Sequence, residues 1–252
     1  MPTFDSAGVC IAYDALGEGP AVVLVHGFAS NRIRNWKDPG WYDTLVRAGR
    51  RVVALDCRGH GQSDKPHDPA AYTPALMSGD VVRLMDHLDL ARADLMGYSM
   101  GGRIAAALLV HHPERCGAAV LGGVGDGLAG ERRGADGIAQ ALETDDPAAL
   151  TQPTAQAFRT FAEQGGNDLH ALAACMRGLR FTVAATDLQR IRTPVLVVVG
   201  ENDTLIGDPR PWVDLIPRAQ LLLVPGRDHL NTVGDRRYKE AALRFLHEHG
   251  VR

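Results

Sequence analysis

Short apolar runs rich in β-branched residues alternate with longer segments of helical periodicity along most of this 252-residue chain. Continuous apolar runs are typical of strands that are buried on both faces. They predict strands over residues 9–13, 21–25, 51–55, 93–96, 116–121, 194–199 and 221–224. The helical periodicity predicts helices over residues 74–88, 100–111, 211–215 and 236–248. This alternation predicts an α/β protein, with βαβ units around a mostly parallel, doubly wound sheet.

One long segment interrupts the alternation. Between residues 122 and 190 the chain is rich in alanine and polar residues and has no convincing strand pattern. A plain loop of that length is uncommon, so we expect an inserted helical subdomain. The predicted division is a core formed by residues 1–122 and 191–252, with a helical insertion formed by residues 123–190.

The composition is that of an ordinary globular protein, with 45% hydrophobic and 23% charged residues. A formal net charge of −3 and scattered basic residues give no electrostatic reason to expect nucleic acid or a membrane as a partner. The four cysteines are far apart and form neither a disulfide framework nor a metal-binding pattern. Residues 1–6 lack the features of a signal peptide, and no apolar run has membrane-spanning length. We therefore expect a soluble cytoplasmic protein without a metal site.

The segment at residues 97–102, Gly-Tyr-Ser-Met-Gly-Gly, lies where a predicted strand passes into a predicted helix. A serine between glycines at such a junction fits the G-x-S-x-G pattern of a nucleophile elbow. The turn is so tight that the residues two before and two after the serine must lack side chains. It lifts the serine hydroxyl clear of the sheet, and the first N–H groups of the helix face the reacting group. Ser99 is therefore the predicted nucleophile.

A serine nucleophile needs a histidine that accepts its proton and a carboxylate that orients the histidine. In this architecture the acid and then the histidine should follow the serine, each on a loop at the carboxyl end of a strand. Asp203 follows the sixth predicted strand and His229 follows the seventh, so they are the predicted acid and base. Glu201 and Asp126 remain alternative acids, since Asp126 also follows a predicted strand.

Acyl transfer also needs N–H donors for the negative oxygen that develops in the transition state. The N–H of Met100, at the start of the helix, is one predicted donor. The other is the N–H of Phe28, in the loop after the second predicted strand, where Gly27 lets the backbone turn in beneath the serine. His26 is expected to brace this loop rather than act in catalysis, and His60 is expected to lie in a polar loop.

As a set, these motifs resemble the α/β-hydrolase superfamily. The matching segments are residues 26–28, 56–63, 97–102, 200–203 and 228–229, and the loop at 56–63 is interpreted as structural. The resemblance extends from about residue 9 to residue 245, apart from the insertion. It implies a catalytic triad of Ser99, Asp203 and His229, with Phe28 and Met100 as the oxyanion donors. It also implies that the insertion is a helical cap or lid.

The resemblance constrains the fold more than the reaction. It implies a serine esterase that hydrolyses a small carboxylic ester through an acyl-enzyme, without a cofactor. Two alternatives use the same triad, namely a C–C bond hydrolase and a cofactor-free perhydrolase or haloperoxidase. A receptor that keeps the triad without turning over its ligand is an alternative of another class. The acyl and alcohol groups, the choice among ester, thioester, lactone and C–C bonds, and the oligomeric state are left open.

Residues 125–130 satisfy the dinucleotide-binding pattern G-x-G-x-x-G. Such a site requires a helix that begins at the third glycine and a strand before the acidic pair Asp145-Asp146. Neither is predicted here. We therefore interpret the segment as a flexible entry to the insertion, with no bound cofactor.

Apolar side chains around the predicted triad are expected to form the substrate pocket. Arg32 and Arg34, after the oxyanion loop, are candidates for binding a substrate carboxylate, although arginines in a polar loop are more often solvated. Trp36 and Trp41 are expected to pack that loop down. The predicted pocket residues are Phe28, Tyr98, Met100, Leu205 or Ile206 and Leu230 from the core, with Phe158, Phe161 and Phe181 from the insertion.

Overall fold

The computed structural model describes residues 1–129, 134–180 and 182–252. Within these residues, eight strands form one sheet in the order β1-β2-β4-β3-β5-β6-β7-β8. Strand β2 pairs antiparallel with both β1 and β4, and all other neighbouring strands pair in parallel. This arrangement confirms the predicted α/β class and the mostly parallel sheet. The strands are β1 (Thr3–Asp5), β2 (Cys10–Leu16), β3 (Ala21–Val25), β4 (Arg51–Leu55), β5 (Ala93–Tyr98), β6 (Cys116–Gly122), β7 (Val195–Gly200) and β8 (Ala219–Val224).

The central strands β3, β5, β6 and β7 are buried along their whole length. Helices cover both faces of the sheet, which is why these strands are continuous apolar runs in the sequence. The bounds of β3 and β4 agree with the prediction, whereas β5 continues two residues further, to Tyr98. The sequence did not predict β1, because its three residues are too short for a recognisable pattern.

The described residues contain nine α-helices. Helix α3 has the predicted bounds, and α2 begins where the Thr73 side chain accepts a hydrogen bond from the N–H of Leu76. No helix in the described residues is both long and apolar enough to cross a membrane. The helices are α1 (Trp41–Arg47), α2 (Pro74–His87), α3 (Met100–His111), α4 (Ala135–Glu143), α5 (Pro153–Gln164), α6 (Leu169–Gly178), α7 (Ala185–Leu188), α8 (Arg210–Val213) and α9 (Arg236–His249).

Helix α1 and the π-helical turn Ile33–Lys37 before it were not predicted. Both bury tryptophan: the rings of Trp36 and Trp41 meet edge to face with their centroids 5.9 Å apart. The indole N–H of Trp41 donates to the carbonyl oxygen of Val233, at 2.7 Å. The two tryptophans thus pack the segment after the oxyanion loop onto the core, as expected from the sequence.

Between β6 and β7 the described residues form helices α4 to α7 and no strand. Helix α6 packs onto the core, where the Sγ of Cys175 lies 3.9 Å from the Sδ of Met100. Asn167, just before α6, donates to the carbonyl oxygen of Ala29, at 3.1 Å. The insertion therefore contacts both segments that flank Ser99 in the predicted site. The boundaries of residues 123–190 as a separate domain stay a prediction.

Candidate active site

Ser99 joins β5 to α3 in a strained conformation, with φ 53° and ψ −111°. Only a tight turn with small neighbours accommodates it. A Cβ on Gly97 would collide with the carbonyl of Gly101, and a Cβ on Gly101 would collide with the carbonyl of Val25. The N–H of Ser99 donates to the Gly122 carbonyl oxygen on β6, at 2.8 Å. The backbone on both sides therefore fixes the serine, as the glycine spacing predicts.

His229 lies between Ser99 and Asp203. Its Nε2 is 3.0 Å from the Oγ of Ser99, and its Nδ1 is 2.7 Å from the Oδ2 of Asp203. The Asp203 side chain is fully buried, while the His229 side chain is 12% exposed. A carboxylate only accepts hydrogen bonds, so the proton belongs on Nδ1 and leaves Nε2 free to accept from the serine hydroxyl. This is the tautomer that a general base requires.

The loop that carries Asp203 uses both oxygens of the carboxylate. While Oδ2 faces His229, Oδ1 accepts a hydrogen bond from the N–H of Leu205, at 3.1 Å. The N–H of Asp203 donates to the carbonyl oxygen of Gly200, at 3.0 Å, which turns the chain back at the end of β7. The side chain is thus held in one orientation by its own loop.

The other acidic residues of the neighbouring loops, including the alternative acids Glu201 and Asp126, are directed elsewhere. Glu201 accepts from the N–H of Gly226, at 3.1 Å. Asp228 accepts from the N–H of Leu230, at 2.9 Å, and so caps its own turn. Asp126 is exposed and lies beside Gly207. Within the described residues, Asp203 is the carboxylate that pairs with His229.

The loop after β3 lies against the elbow. A Cβ on Gly27 would lie 3.5 Å from the Cβ of Ser99, which is ordinary contact distance. The N–H of Gly27 donates to the Oδ1 of Asn35, at 2.9 Å, and this bond holds the loop in place. Met100 is the first residue of α3, where a backbone N–H has no acceptor within the helix. Met100, one predicted oxyanion donor, thus directly follows Ser99, and the loop that carries the other, Phe28, lies against Ser99 through Gly27.

His26 braces this loop. Its Nε2 accepts from the N–H of Cys57, at 2.9 Å, so its Nδ1 carries the proton and donates to the carbonyl oxygen of Gly27, at 2.7 Å. Burial lowers the pKa of His26 below its usual range, although Asp56 acts in the opposite direction. The ring is therefore a neutral structural group, in agreement with its predicted role.

His60 lies in the loop at 56–63, as expected, and it is fully buried there. Its ring packs edge to face against His26 and Phe28, at 5.2 and 5.7 Å between centroids. Its Nδ1 lies 3.0 Å from the carbonyl oxygen of Arg58. Burial, reinforced by the neighbouring His26, lowers the pKa of His60 to about 3. The loop at 56–63 is polar in sequence, but in the structure its His60 is buried against His26 and Phe28 of the oxyanion loop.

Two cavities border Ser99, and we name them by their linings. The apolar cavity has a volume of about 580 Å³, and the polar cavity has a volume of about 700 Å³. The apolar cavity is lined by Gly27, Phe28, Ser30, Arg34, Asn35, Tyr98, Ser99, Pro153, Thr154, Ala157, Phe158, Phe161, Leu205, His229, Leu230 and Val233. The polar cavity is lined by Ser99, Met100, Arg103, Gly123, Val124, Gly125, Asp126, Gly127, Ile138, Thr154, Phe158, Thr204, Leu205, Ile206 and Gly207.

The predicted pocket residues divide between the two cavities. Met100 and Ile206 line the polar cavity, whereas Leu205 borders both. Leu230 is 68% exposed. Phe181 lies outside the described residues. The predicted residues that line the apolar cavity are Phe28, Tyr98, Phe158, Phe161, Leu205 and Leu230.

The two arginines after the oxyanion loop differ. Arg32 is buried and forms ion pairs with Asp56 and with Asp14, the latter at 3.0 Å. It is therefore neither solvated nor available to bind a substrate carboxylate. The N–H of Arg32 also donates to the Oδ1 of Asp56, at 2.8 Å. Arg34, in contrast, lines the apolar cavity. Sequence reasoning missed the Arg32 cluster because Asp14 and Asp56 are far apart in the sequence, although β2 and β4 are neighbours in the sheet.

The glycine pattern at 125–130 is only partly within the described residues, since Gly130 lies outside them. The carbonyl oxygen of Gly125 accepts from the indole N–H of Trp212, at 2.8 Å, and a Cβ on Gly125 would collide with the carbonyl of Ile206. These contacts pack the segment against the loop after β7. Over residues 1–129, 134–180 and 182–252, no three His, Cys, Asp or Glu side chains are grouped as metal ligands.

Three further features of the site had no sequence signal. Asn35 holds the oxyanion loop, and the Tyr98 hydroxyl donates to the carbonyl oxygen of His229, at 2.6 Å. The polar cavity, with Asp126 and Thr204 in its wall, was not predicted as a separate space. Each depends on segments that meet only in the folded chain.

Comparison with known proteins identifies the kind of scaffold. A family model described as the alpha/beta hydrolase fold matches residues 20–134. The chain is 30% identical over 260 residues to a Pseudomonas putida protein named "Dihydrolipoyllysine-residue acetyltransferase component of acetoin cleaving system". The match covers 92% of this chain but only 64% of the length of that relative. It is also 30% identical over 253 residues to a Synechocystis protein named "Putative non-heme chloroperoxidase", covering 89% of this chain and 90% of that protein.

Among solved structures, the chain resembles the crystal structure of a hydrolase from Pseudomonas aeruginosa PA01. The two share 28% sequence identity and superpose with a TM-score of 0.81, over 97% of each chain. The likeness thus includes the core and the insertion together.

Proposed function

This chain belongs to the α/β-hydrolase fold family, and from that premise we propose that it is a serine hydrolase that acts on small carboxylic esters. One observation carries the proposal: two consecutive hydrogen bonds link the Ser99 hydroxyl to His229, and His229 to the buried Asp203. A hydroxyl, an imidazole and a carboxylate in this order form the arrangement that activates a serine.

In the proposed reaction, the Oγ of Ser99 attacks the ester carbonyl carbon while the Nε2 of His229 accepts the hydroxyl proton. Asp203 stabilises the imidazolium that forms, and keeps its ring in position. When the tetrahedral intermediate collapses, the bond to the alcohol oxygen breaks and His229 gives that oxygen the proton. Water, deprotonated by His229, then attacks the acyl-Ser99 ester, and the acid leaves as Ser99 regains its proton.

The negative oxygen of each tetrahedral intermediate is placed between the N–H groups of Phe28 and Met100. A well-placed donor of this kind stabilises the transition state by about 3–4 kcal/mol. Backbone donors need no reorientation during the reaction, because α3 fixes one and the Asn35 bond to Gly27 supports the loop of the other.

We assign the helical insertion, residues 123–190, the role of a cap that selects the substrate. Its helix α5 contributes Phe158, which borders both cavities, and Phe161, which borders the apolar cavity. Phe158 also packs edge to face on Phe28, with ring centroids 6.0 Å apart. Substitutions on α5 should therefore change which ester is accepted more than the ability to attack one.

A panel of p-nitrophenyl esters of increasing acyl length tests this function. We expect the wild-type protein to release p-nitrophenol from at least the short members and Ser99→Ala to lose that turnover, with an unchanged melting temperature. Equal turnover by both proteins contradicts the proposal. Covalent labelling of Ser99 by a fluorophosphonate without turnover of any ester favours a receptor.

A second reaction of the same site is peracid formation, favoured by the full-length similarity to a relative named as a chloroperoxidase. The carboxylic acid would first acylate Ser99 with release of water, and hydrogen peroxide would then attack the acyl-Ser99 ester, giving a peracid and free Ser99. Incubation with acetate and hydrogen peroxide, followed by assay for peracetic acid, tests it. Ester hydrolysis and peracid formation should be lost together in Ser99→Ala, since both need the same nucleophile.

A further inference from the structure

Arg34 supplies the positive charge in the wall of the apolar cavity. The other lining residues are mostly aromatic, aliphatic or small, and none is a carboxylate. Its guanidinium carbon lies 5.1 Å from the centre of the Phe161 ring, on α5. Arg34 therefore bridges the oxyanion-loop side and the insertion side of the cavity that contains His229.

The charge of Arg34 is not neutralised by the described protein. No carboxylate in residues 1–129, 134–180 or 182–252 forms an ion pair with it, whereas Arg32, two residues earlier, pairs with two. The Nη1 atom of Arg34 is buried without a hydrogen-bond partner in the same residues. Gly165 makes room for it, since a Cβ there would lie 2.6 Å from Nη1.

A half-buried cation beside apolar side chains loses hydration, and this cost is recovered when an anion binds to it. We propose that Arg34 binds a carboxylate of the substrate, so that the preferred esters carry a free carboxylate on the group that occupies the apolar cavity. The inference rests on the proposed function, because it names the substrate class of that same site.

A carboxylate fits this position better than a phosphate. The guanidinium presents parallel N–H donors that match either group. One arginine neutralises the single charge of a carboxylate, whereas a phosphate monoester carries about −1.5 to −2 at neutral pH. The lining of the apolar cavity contains no second arginine or lysine.

Two matched ester pairs test the proposal, because the charged group could belong to the acyl or the alcohol side. In the first pair, mono-4-nitrophenyl glutarate is compared with 4-nitrophenyl pentanoate. In the second, 4-acetoxybutanoate is compared with butyl acetate. Each pair exchanges a terminal carboxylate for a methyl group. The measured quantity is the ratio of kcat/KM for the charged ester to that for the neutral ester.

In at least one pair, we expect wild type to prefer the charged ester and Arg34→Met to lower the ratio by about 10-fold or more, mainly through KM. Arg47→Met, which removes an exposed arginine on α1, is the matched control and should keep the wild-type ratio. Arg34→Lys, which keeps the charge, should restore part of the preference.

The proposal is overturned if Arg34→Met and wild type give the same ratio in both pairs, as expected if Arg34 only packs α5 against the core. That outcome requires measurable turnover of both esters of each pair, and so it is distinct from failure of the proposed function. If no ester is turned over, the same four compounds are titrated into Ser99→Ala by ligand-observed NMR. The proposal is supported if Ser99→Ala binds the carboxylate compounds selectively and the double variant Ser99→Ala, Arg34→Met loses that selectivity. It is overturned if Ser99→Ala shows no preference for the carboxylate compounds, or if the double variant keeps the preference.

Discussion

The hydroxyl of Tyr98 donates a hydrogen bond of 2.6 Å to the carbonyl oxygen of His229. Tyr98 is the last residue of β5, directly before Ser99, so the strand that positions the nucleophile also holds the loop of the base. Burial raises the pKa of Tyr98 well above its usual range, which keeps the hydroxyl protonated and able to donate. The two reacting side chains are therefore aligned through a single tyrosine.

Removing the Tyr98 hydroxyl should make the position of His229 less fixed, while the His229 side chain itself stays in place as the base. In Tyr98→Phe, the carbonyl of His229 loses its partner, and we expect the free energy of unfolding to fall by about 1 kcal/mol. Ester kcat should fall by about 3- to 10-fold with a smaller change in KM, since binding groups remain. Steady-state kinetics and chemical denaturation check both values. A wild-type kcat in Tyr98→Phe would show that the bond has no positioning role.

The same substitution, aspartate to asparagine, at Asp203 and at Asp126 shows which of the two is the acid of the triad. Asp203→Asn should lower kcat by about 10³- to 10⁴-fold, because an amide no longer favours the Nδ1 proton or stabilises the imidazolium. Asp126→Asn, which changes a residue in the wall of the polar cavity, should lower it by about 10-fold at most. The reverse order of effects would identify Asp126 as the acid.

Replacing Gly101 by alanine tests the elbow, because the expected effect on stability is opposite to the usual effect of this substitution in a helix. Glycine to alanine inside a helix commonly stabilises by up to about 1 kcal/mol. At Gly101, in the first turn of α3, the new Cβ would collide with the carbonyl of Val25. We expect Gly101→Ala to destabilise by about 3 kcal/mol or more, or to prevent folding. Gly234→Ala, where the nearest atom would be 3.6 Å away, is the control and should be nearly neutral.

His60 predicts how stability depends on pH. Its pKa is about 3 in the folded state, against 6.5 as the ordinary value. The unfolded chain therefore takes up a proton below pH 6.5 that the folded protein excludes, so this stabilisation is complete above pH 6.5 and is lost as the pH falls toward 3. Through His60 alone, the free energy of unfolding should fall by about 2 kcal/mol between pH 7 and pH 5.

His60→Gln should flatten that dependence, because glutamine does not titrate. Urea denaturation of both proteins from pH 7 to pH 5 measures the two slopes. The absolute stability of the variant does not enter the comparison, since only the change with pH is used. Equal slopes would mean that His60 is protonated in the folded state or is exposed to solvent there.

The sequence predicted best what local chemistry dictates. The bounds of β3, the start of α3 and the small residues around Ser99 follow from strand burial and from a turn with no space for a Cβ. The order of Asp203 and His229 along the chain follows from the rule that parallel strands end at one edge of a sheet. These constraints act within a few residues of each position.

What the sequence could not predict depends on contacts between distant segments. Arg32 is buried because Asp14 and Asp56 converge on it from neighbouring strands. His60 is buried because its polar loop folds beneath Phe28. Likewise, α5 places Thr154 and Phe158 where they border both cavities. None of these relationships leaves a periodic or motif signal in the chain.

The central claim is that Ser99 is the nucleophile of an ester hydrolase. The most direct test is to titrate the protein with a fluorophosphonate, locate the adduct by peptide mass spectrometry and follow p-nitrophenyl ester hydrolysis in the same samples. We predict one adduct per chain, on Ser99, with activity lost in proportion to its occupancy. Full hydrolytic activity in protein that is completely labelled at Ser99, or inactivation by an adduct elsewhere with Ser99 unmodified, would contradict the claim.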